Sequence, residues 1–500
     1  MKTAIIQFNP KTADIRENSE KIKNFIIGEK EAELIIFPAF SITGINCCDY
    51  FLNSSFIDAQ NETLNEIMHL SKNGKDIIIG FAEKNGKQLF SSVAIFSNGE
   101  KKILCRKKAL TQNEKKYFNS GEGPSDIEYK GRLITVSLEN IPMCKTDILI
   151  NLSLENFQMD NILKRLKNKN YQEIRVNPVC FSGSYLYDGR CYFSNKKGEK
   201  IISAKAFEEC RIFYDDEINY QLDNNEKEIN IYDETIDGIV FALKDFCQKI
   251  GFKKIVLGLS GGIDSALTAV LACKAIGSQN VIGITMPSEY SSSGSVDDSV
   301  ELADNLGMQC INIPIKPLFN CFLDNVQKQK YNDLAEENLQ SRLRGIILMN
   351  YSNRYNALLL STGNKSEVAT GYCTLYGDTC GGLNLISDIY KTDVYKIAER
   401  INKDKIIIPQ NTITKPPSAE LRPNQKDTDS LPDYDTLDKV IKLYFEENID
   451  VEEIKYLCPG KPVEQIVNTI LRAEFKRKQM TTGIKLSSRS FVKDIDYPVI

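Results

Sequence analysis

Five hundred residues exceed one domain of ordinary size and predict two or three, each with ample core. Apolar residues make up 42% and charged residues 26%, as in a globular protein in water. The net charge of −4, from 63 basic and 67 acidic side chains, excludes an overall electrostatic footprint for nucleic acid.

The chain opens with Met1-Lys2-Thr3 and runs straight into AIIQF, a strand pattern rather than a signal peptide. With no apolar stretch of bilayer length, the expected compartment is the cytoplasm and no membrane partner is expected. TAIIQF is followed by the amphipathic NSEKIKNFIIGEKEAE; LIIFP, DIIIGFAE, SSVAIFS, ITVSL and TDILINLS then read as strands. This pattern predicts a layered α/β domain in which strands outnumber helices. The lone histidine, His69, lies in a helical stretch, ETLNEIMHLSKN, and reads as a surface or hydrogen-bond-satisfied residue rather than a catalyst. Fourteen cysteines include no C-x-x-C pair, so zinc lacks ligands and the thiols read as reduced, mostly buried apolar groups. Near residue 222 the chain turns polar and acidic, DDEINYQLDNNEKEINI, without apolar periodicity. The predicted boundary is placed there, giving domains 1–222 and 223–500, with this segment a linker or in part an edge strand.

The second half begins with the helix pattern DETIDGIVFALKDFCQKIG. Strand KIVLGL, helix DSALTAVLACKAIG, strand NVIGITMP, helix SVDDSVELADNLG, strand CINIPI, a helical region over 333–355 and strand ALLLST follow. Strands separated by helices of this length predict crossovers and a doubly wound parallel sheet. Ligands of such sheets bind beyond the carboxyl ends of the strands. VLGLSGGIDSAL, the MPS after Thr285 and the TGN after Ser361 all fall at such ends.

At the first of these ends, Gly261 and Gly262 permit a tight turn with inward N–H groups, and the following helix adds its positive N-terminus. Ser260 and Ser265 supply hydroxyl donors. Asp264 would repel phosphate unless a cation, most simply Mg²⁺, lies between them. The competing reading is an ordinary glycine turn with an aspartate cap. The G-x-x-x-x-G-K-[ST] order is absent, which excludes a Walker loop.

This loop resembles the SGGxDS loop of the ATP pyrophosphatases, which adenylate a carbonyl oxygen and let a nitrogen nucleophile displace AMP. MPSEYSSSGSVDDS, ENLQSRLRG, STGNKSEVATGYCTLYGD, YKTDVYKIA, PPSAELRPNQKDTDSLPDYDTLD and EFKRKQ narrow the resemblance to the NAD synthetases across the whole second half. Alone, KRKQ is a solvated helix end and NLQSRLRG a charged helix; six motifs in order lift them above that. The resemblance implies an adenine nucleotide alpha hydrolase-like domain and a homodimer, or a higher oligomer, with the dinucleotide site at the dimer contact. It implies ATP contacts at Gly258, Ser260, Gly261, Gly262, Asp264, Ser265, Thr362, Lys391 and Ser418. Asp264 and Glu367 match the Mg²⁺ carboxylates, and Asp264 and Lys391 are the catalytic candidates. Asn338, Arg342, Glu367 and Lys476 match residues holding deamido-NAD. The loop from Lys415 to Pro432 is expected to close over ATP.

The first half resembles the nitrilase-type amidase domain, an α/β sandwich, that supplies ammonia from glutamine in the longer NAD synthetases. AIIQFNPKTADIRENSEKI, ELIIFPAFSITG, RKKAL and YDGRCYF carry that likeness. The amidase family works with a glutamate base, a lysine and a cysteine nucleophile. Here the glutamate position is Ala39. The lysine is best matched by Lys107, with Lys108 the alternative, and the cysteine position holds Leu138 or Glu139. The amidase site is therefore expected to be degenerate, leaving ammonia, free or from a separate source, as the nitrogen donor. Rival readings are a glutamine-hydrolysing NAD synthetase, another ATP-pyrophosphatase amidotransferase, and a non-catalytic dinucleotide sensor.

Overall fold

The computed structural model describes residues 1–141, 145–159, 170–218, 220 and 230–499. They fall into two compact units, residues 1–141, 145–157, 170–218 and 220, and residues 158–159 with 230–499. The predicted boundary at residue 222 lies outside the described residues.

In the first unit, alternating side chains build two six-stranded sheets into a sandwich. One sheet runs, edge to edge, through Cys210–Asp215, Lys2–Gln7, Leu34–Ala39, Asp76–Asn85, Gln88–Ser97 and Glu100–Arg106. Along Leu34–Ala39, Ile35 and Phe37 pack against Ile22, Ile26, Leu64 and Ile67 of the helices Ile15–Gly28 and Ser54–Leu70. Leu34 and Ile36 turn the other way, into a core shared with Ile134, Val136, Ile148, Ile150 and Ile174 of the second sheet. A period of two in the sequence thus becomes two apolar layers. The predicted strands in TAIIQF, LIIFP, DIIIGFAE, SSVAIFS, ITVSL and TDILINLS are all present. Among the described residues of the acidic segment that starts at Asp215, only Asp215 itself lies in a strand, the one that pairs antiparallel with Lys2–Gln7. His69 is an exposed residue of the Ser54–Leu70 helix. No disulfide joins the cysteines among the described residues.

The second unit is a doubly wound parallel sheet. Its strands lie in the order Gln309–Asn312, Val281–Thr285, Ile255–Leu259, Leu358–Ser361, Leu383–Asn384, and every pairing is parallel. The central Ile255–Leu259 strand is flanked by its sequence neighbour on one side and by the later Leu358–Ser361 strand on the other. That reversal of order opens a crevice at the strand ends. Both faces of the sheet are covered, which is why its strands read as unbroken apolar runs. Among the described residues no helix is long and apolar enough to cross a membrane.

Candidate functional site

The crevice is a cavity of about 730 Å³ at the carboxyl ends of the strands. The loop after Leu259 turns through Gly261, whose φ is +75° and whose missing Cβ lets it lie against the Ser295 backbone; any side chain there would collide with it. The Ser260 and Ser265 hydroxyls are 3.1 Å apart, and Ser265 donates to the Gly262 carbonyl at 2.9 Å. Those bonds brace the turn at the start of the Ile263–Ile276 helix. Asp264 is the second residue of that helix, and the capping position belongs to Gly262. The simple capping reading of Asp264 therefore does not hold.

The Asp264 carboxylate instead faces inward and forms an ion pair with Lys391. Asn364 Nδ2 donates to Asp264 Oδ1 at 3.0 Å. The same Asn364 accepts from the Glu367 N–H at 3.0 Å, while Glu367 Oε2 takes the Asn364 N–H at 3.2 Å. One asparagine therefore fixes both carboxyl groups. Burial, reinforced by the Asp264 carboxylate, pushes the Glu367 carboxyl well above the usual range, with Lys391 opposing. Burial works against charge on Lys391, yet the Asp264 and Glu367 carboxylates outweigh it and raise the ammonium's pKa.

Lys391 is buried because the chain around it is pinned. Its N–H donates to Ser366 Oγ at 3.0 Å, and the next N–H, of Thr392, donates to Asp438 Oδ2 at 3.0 Å. Asp438 thereby satisfies a free donor in the first turn of the Lys391–Ile401 helix. Behind it, Lys365 is wholly buried between Asp388 at 2.9 Å and Glu446 at 2.6 Å, and it also donates to Ser487 Oγ at 2.7 Å. A desolvated triad this well satisfied is tolerable, and it holds the turn that carries Glu367.

A third carboxylate, Asp427, comes from the long loop. It is buried and accepts from the hydroxyls of Tyr434 at 2.9 Å and Tyr372 at 3.3 Å. Asp264, Glu367 and Asp427 thus oppose one ammonium. An oxygen donor set with that charge suits a hard divalent cation held by one or two carboxylates and completed by phosphate oxygens. Among the described residues no group of three His, Cys, Asp or Glu is arranged to cage a metal unaided.

Gly258, Ser260, Gly262, Asp264, Ser265, Asn338, Thr362, Glu367, Lys391, Ser418 and Lys476 all line this one cavity. Asn338 Oδ1 accepts from Thr374 Oγ1 at 2.8 Å, and Lys476 donates to the carbonyls of Gly371 and Cys373, both at 2.8 Å. Gly261 and Arg342 are not in the lining. Arg342 stands one turn beyond Asn338 on the Leu334–Tyr355 helix, its Nε 3.3 Å from the Leu375 carbonyl. The sequence reading missed Asn364, Lys365, Asp388, Asp427 and Asp438. Four of these, all but Asp388, sit inside quoted motifs (TGNKSE, QKDTDSLPD, YDTLD) and could have been found by asking which polar residues there have no local partner.

In the first unit, Ala39 ends its strand as a buried methyl. Gly80 lies so close that a Cβ there would meet Ala39 Cα at 2.8 Å. Lys107 Nζ pairs with Glu114 at 2.7 Å, while Lys108 is exposed. Leu138 is buried in the inter-sheet core together with Ala39 and Cys105. Glu139 accepts from the N–H groups of Lys108 and Ala109, the latter at 2.6 Å. Burial, aided by the Glu139 carboxylate, pushes the Cys105 thiol up to about 12. Cys144 lies outside the described residues.

A sandwich of amidase type and a doubly wound nucleotide-site domain on one chain define a class of two-part amide-forming enzymes. Residues 235–480 match the NAD synthase family and residues 2–141 the carbon-nitrogen hydrolase family. The chain is 33% identical to a glutamine-dependent NAD(+) synthetase of Aquifex aeolicus, covering 100% of this chain and 99% of that one. It is 34% identical to that of Acinetobacter baylyi, covering 100% and 98%. A solved glutamine-dependent NAD+ synthetase from Acinetobacter baumannii, in complex with ADP, superposes with a TM-score of 0.76 at 29% identity, covering 100% and 98%. The chain belongs to the two-domain NAD synthetases, which are ligases.

Proposed function

We propose that the protein amidates deamido-NAD to NAD at the expense of ATP, with ammonia as the nitrogen donor. The observation that carries this reading is the Asp264–Lys391–Glu367 constellation in the strand-end cavity. The deamido-NAD carboxylate attacks the α-phosphorus of ATP, the α–β bridge P–O bond breaks, and pyrophosphate leaves. Ammonia then attacks the acyl carbon and the C–O bond to AMP breaks, giving the amide.

Asp264 and Glu367 would hold Mg²⁺, whose charge offsets that of the departing pyrophosphate. Lys391, a point charge on a flexible stem, follows the phosphates as they separate. The hydroxyls of Ser260 and Ser265 and the N–H groups at the turn receive phosphate oxygens. Thr362 and Ser418 complete the ATP contacts; Asn338, Arg342 and Lys476 orient the dinucleotide. We assign residues 1–222 to the amidase-type domain, 223–500 to the synthetase, and the enzyme to the cytoplasm.

Incubation with deamido-NAD, ATP, Mg²⁺ and an ammonium salt is expected to yield NAD, AMP and pyrophosphate. XMP or aspartate in place of deamido-NAD is expected to give no AMP. Absence of AMP with every acceptor, in folded protein, would overturn the reading in favour of a dinucleotide sensor.

A homodimer completes the proposal. Ile346 and Met349 are exposed apolar residues on the helix that carries Asn338 and Arg342, at the three- and four-residue spacings that share a stripe. Exposed Leu334 extends the apolar surface at the helix start. Ile346→Asp is expected to convert a dimer to a monomer by light scattering and to raise KM for deamido-NAD more than KM for ATP.

A further inference from the structure

The long loop after Lys415 is held down at a point where its backbone is strained. Glu420 sits in the left-handed region at φ +51°, a conformation that is strained for a residue with a Cβ and costs glycine almost nothing. Its carboxylate Oε1 accepts from Ser295 Oγ at 2.7 Å and from Ser292 Oγ at 3.1 Å. Both serines belong to the start of the Ser293–Leu306 helix, Ser292 being its cap. Lys415 reaches the same turn, donating to Ser295 Oγ at 3.1 Å and pairing with Asp298 at 2.8 Å. On the other side, the Leu421 carbonyl accepts from Gln340 Nε2 at 2.9 Å. Inside the loop, the Glu420 N–H donates to Ser418 Oγ at 3.1 Å.

Ser295 is also the residue against which Gly261 packs. The turn that the Glu420 carboxylate grips therefore touches the phosphate-type loop directly. Resting on the synthetase reading above, we propose that Glu420 is a positioning residue. It latches the 415–432 loop onto the Ser292–Ser295 turn, which sets Ser418 and seals the cavity around the adenylate. The strained backbone at this position persists because glycine, which would relax it, carries no carboxylate to make the latch.

A latch of this kind has a chemical consequence distinct from folding. With the loop open, water reaches the adenylate, the acyl–phosphate linkage is hydrolysed, and deamido-NAD and AMP are released without NAD. Two bonds to a charged acceptor hold the loop, and such bonds are among the stronger side-chain contacts. Their loss is expected to raise the open population about tenfold.

The loop also provides its own probe. Lys415 and Arg422 are each followed by proline, so trypsin is left with Lys426–Asp427, and Asp427 is buried while the loop is closed. Cleavage there tracks the open population. Glu420→Gln and Glu420→Gly are both expected to be cut about tenfold faster than the parent, and to give more AMP than NAD at limiting ammonium while the parent gives equal amounts. Glu420→Gln keeps the side chain's size and the backbone preference and removes only the charge, so faster cleavage of that variant isolates the carboxylate's role. Glu420→Gly relieves the strain at φ +51° but also frees the open chain. Unchanged or slower cleavage of Glu420→Gln, or an AMP-to-NAD ratio that stays at one, overturns the latch. The cleavage assay needs no turnover, so a parent protein that makes no NAD would sink the synthetase reading while the latch is still judged on cleavage.

Discussion

Glutamine in place of ammonium is expected to yield no NAD, and no glutamate above background. Amide hydrolysis by an amidase of this type needs a thiolate, a base and a donor for the oxyanion. At the matched positions only the last has a candidate, Lys107, and its ammonium is already paired with Glu114. Ala39 can neither take nor return a proton, which alone forfeits a factor on the order of 100 to 10,000. Leu138 is buried and inert, and Glu139 is engaged by two backbone N–H groups. Loss of the nucleophile in a comparable hydrolase costs about a millionfold. Cys105 is close by in the same core, but a thiol pushed up to about 12 by burial provides almost no thiolate near neutrality. The measurement is glutamate release with and without ATP and deamido-NAD, alongside NAD formation from each nitrogen source. Brisk glutamate production, lost in Cys105→Ala or Cys144→Ala, would show that the first domain is an active glutaminase.

The relatives that match over the full chain are named glutamine-dependent, so the architecture alone argues for the opposite result. The expectation of a silent amidase site rests instead on two short motifs, each contiguous in sequence. Phe37-Pro38-Ala39 and Ser137-Leu138-Glu139 each lie at the end of a strand, where one residue decides the chemistry. What the sequence did not reveal was how these positions are filled. That Glu139 closes back on the 108–109 turn is a contact between the two sheets' loops, and that Ala39 leaves no room beside Gly80 is one between neighbouring strands of a single sheet.

The same division runs through the second domain. The parallel sheet was legible because strands covered on both faces must be continuous apolar runs, and the motifs at their ends must share one edge. That Ser260 and Ser265 gather at one turn was legible too, since they are five residues apart in one motif; that they brace each other was not. Asn364 bridging Asp264 and Glu367, Asp438 holding the turn of Lys391, and Asp427 entering from the loop involve partners far apart in the chain. No periodicity announces such pairings. In the first domain the strands Ser125–Tyr129 and Lys200–Ser203 carry no fully buried side chain to mark an alternating face, and the short buried strands Val179–Ser182 and Tyr192–Ser194 carry no alternation at all.

Asp264→Asn is expected to slow adenylation by roughly 100-fold or more, the usual cost of one pre-organised electrostatic contact. The substitution keeps size and retains a hydrogen-bond partner for Asn364, but it removes a carboxylate from the metal pair and the partner of the Lys391 ammonium. Lys391, buried and still facing Glu367, would then be drawn toward that carboxylate, away from the path of the separating phosphates. Stability is expected to change little. Three carboxyl groups crowd one ammonium, so the repulsion relieved by the substitution offsets much of the lost ion pair, and the melting temperature should stay within about 4 °C of the parent's. The direct readout is pyrophosphate release in a single turnover without ammonia, measured across a Mg²⁺ titration. A slower limiting rate that needs more Mg²⁺ to reach half its value is the expected pattern. A slow rate with an unchanged Mg²⁺ midpoint would assign Asp264 to Lys391 alone, and an unchanged rate would remove it from the chemistry.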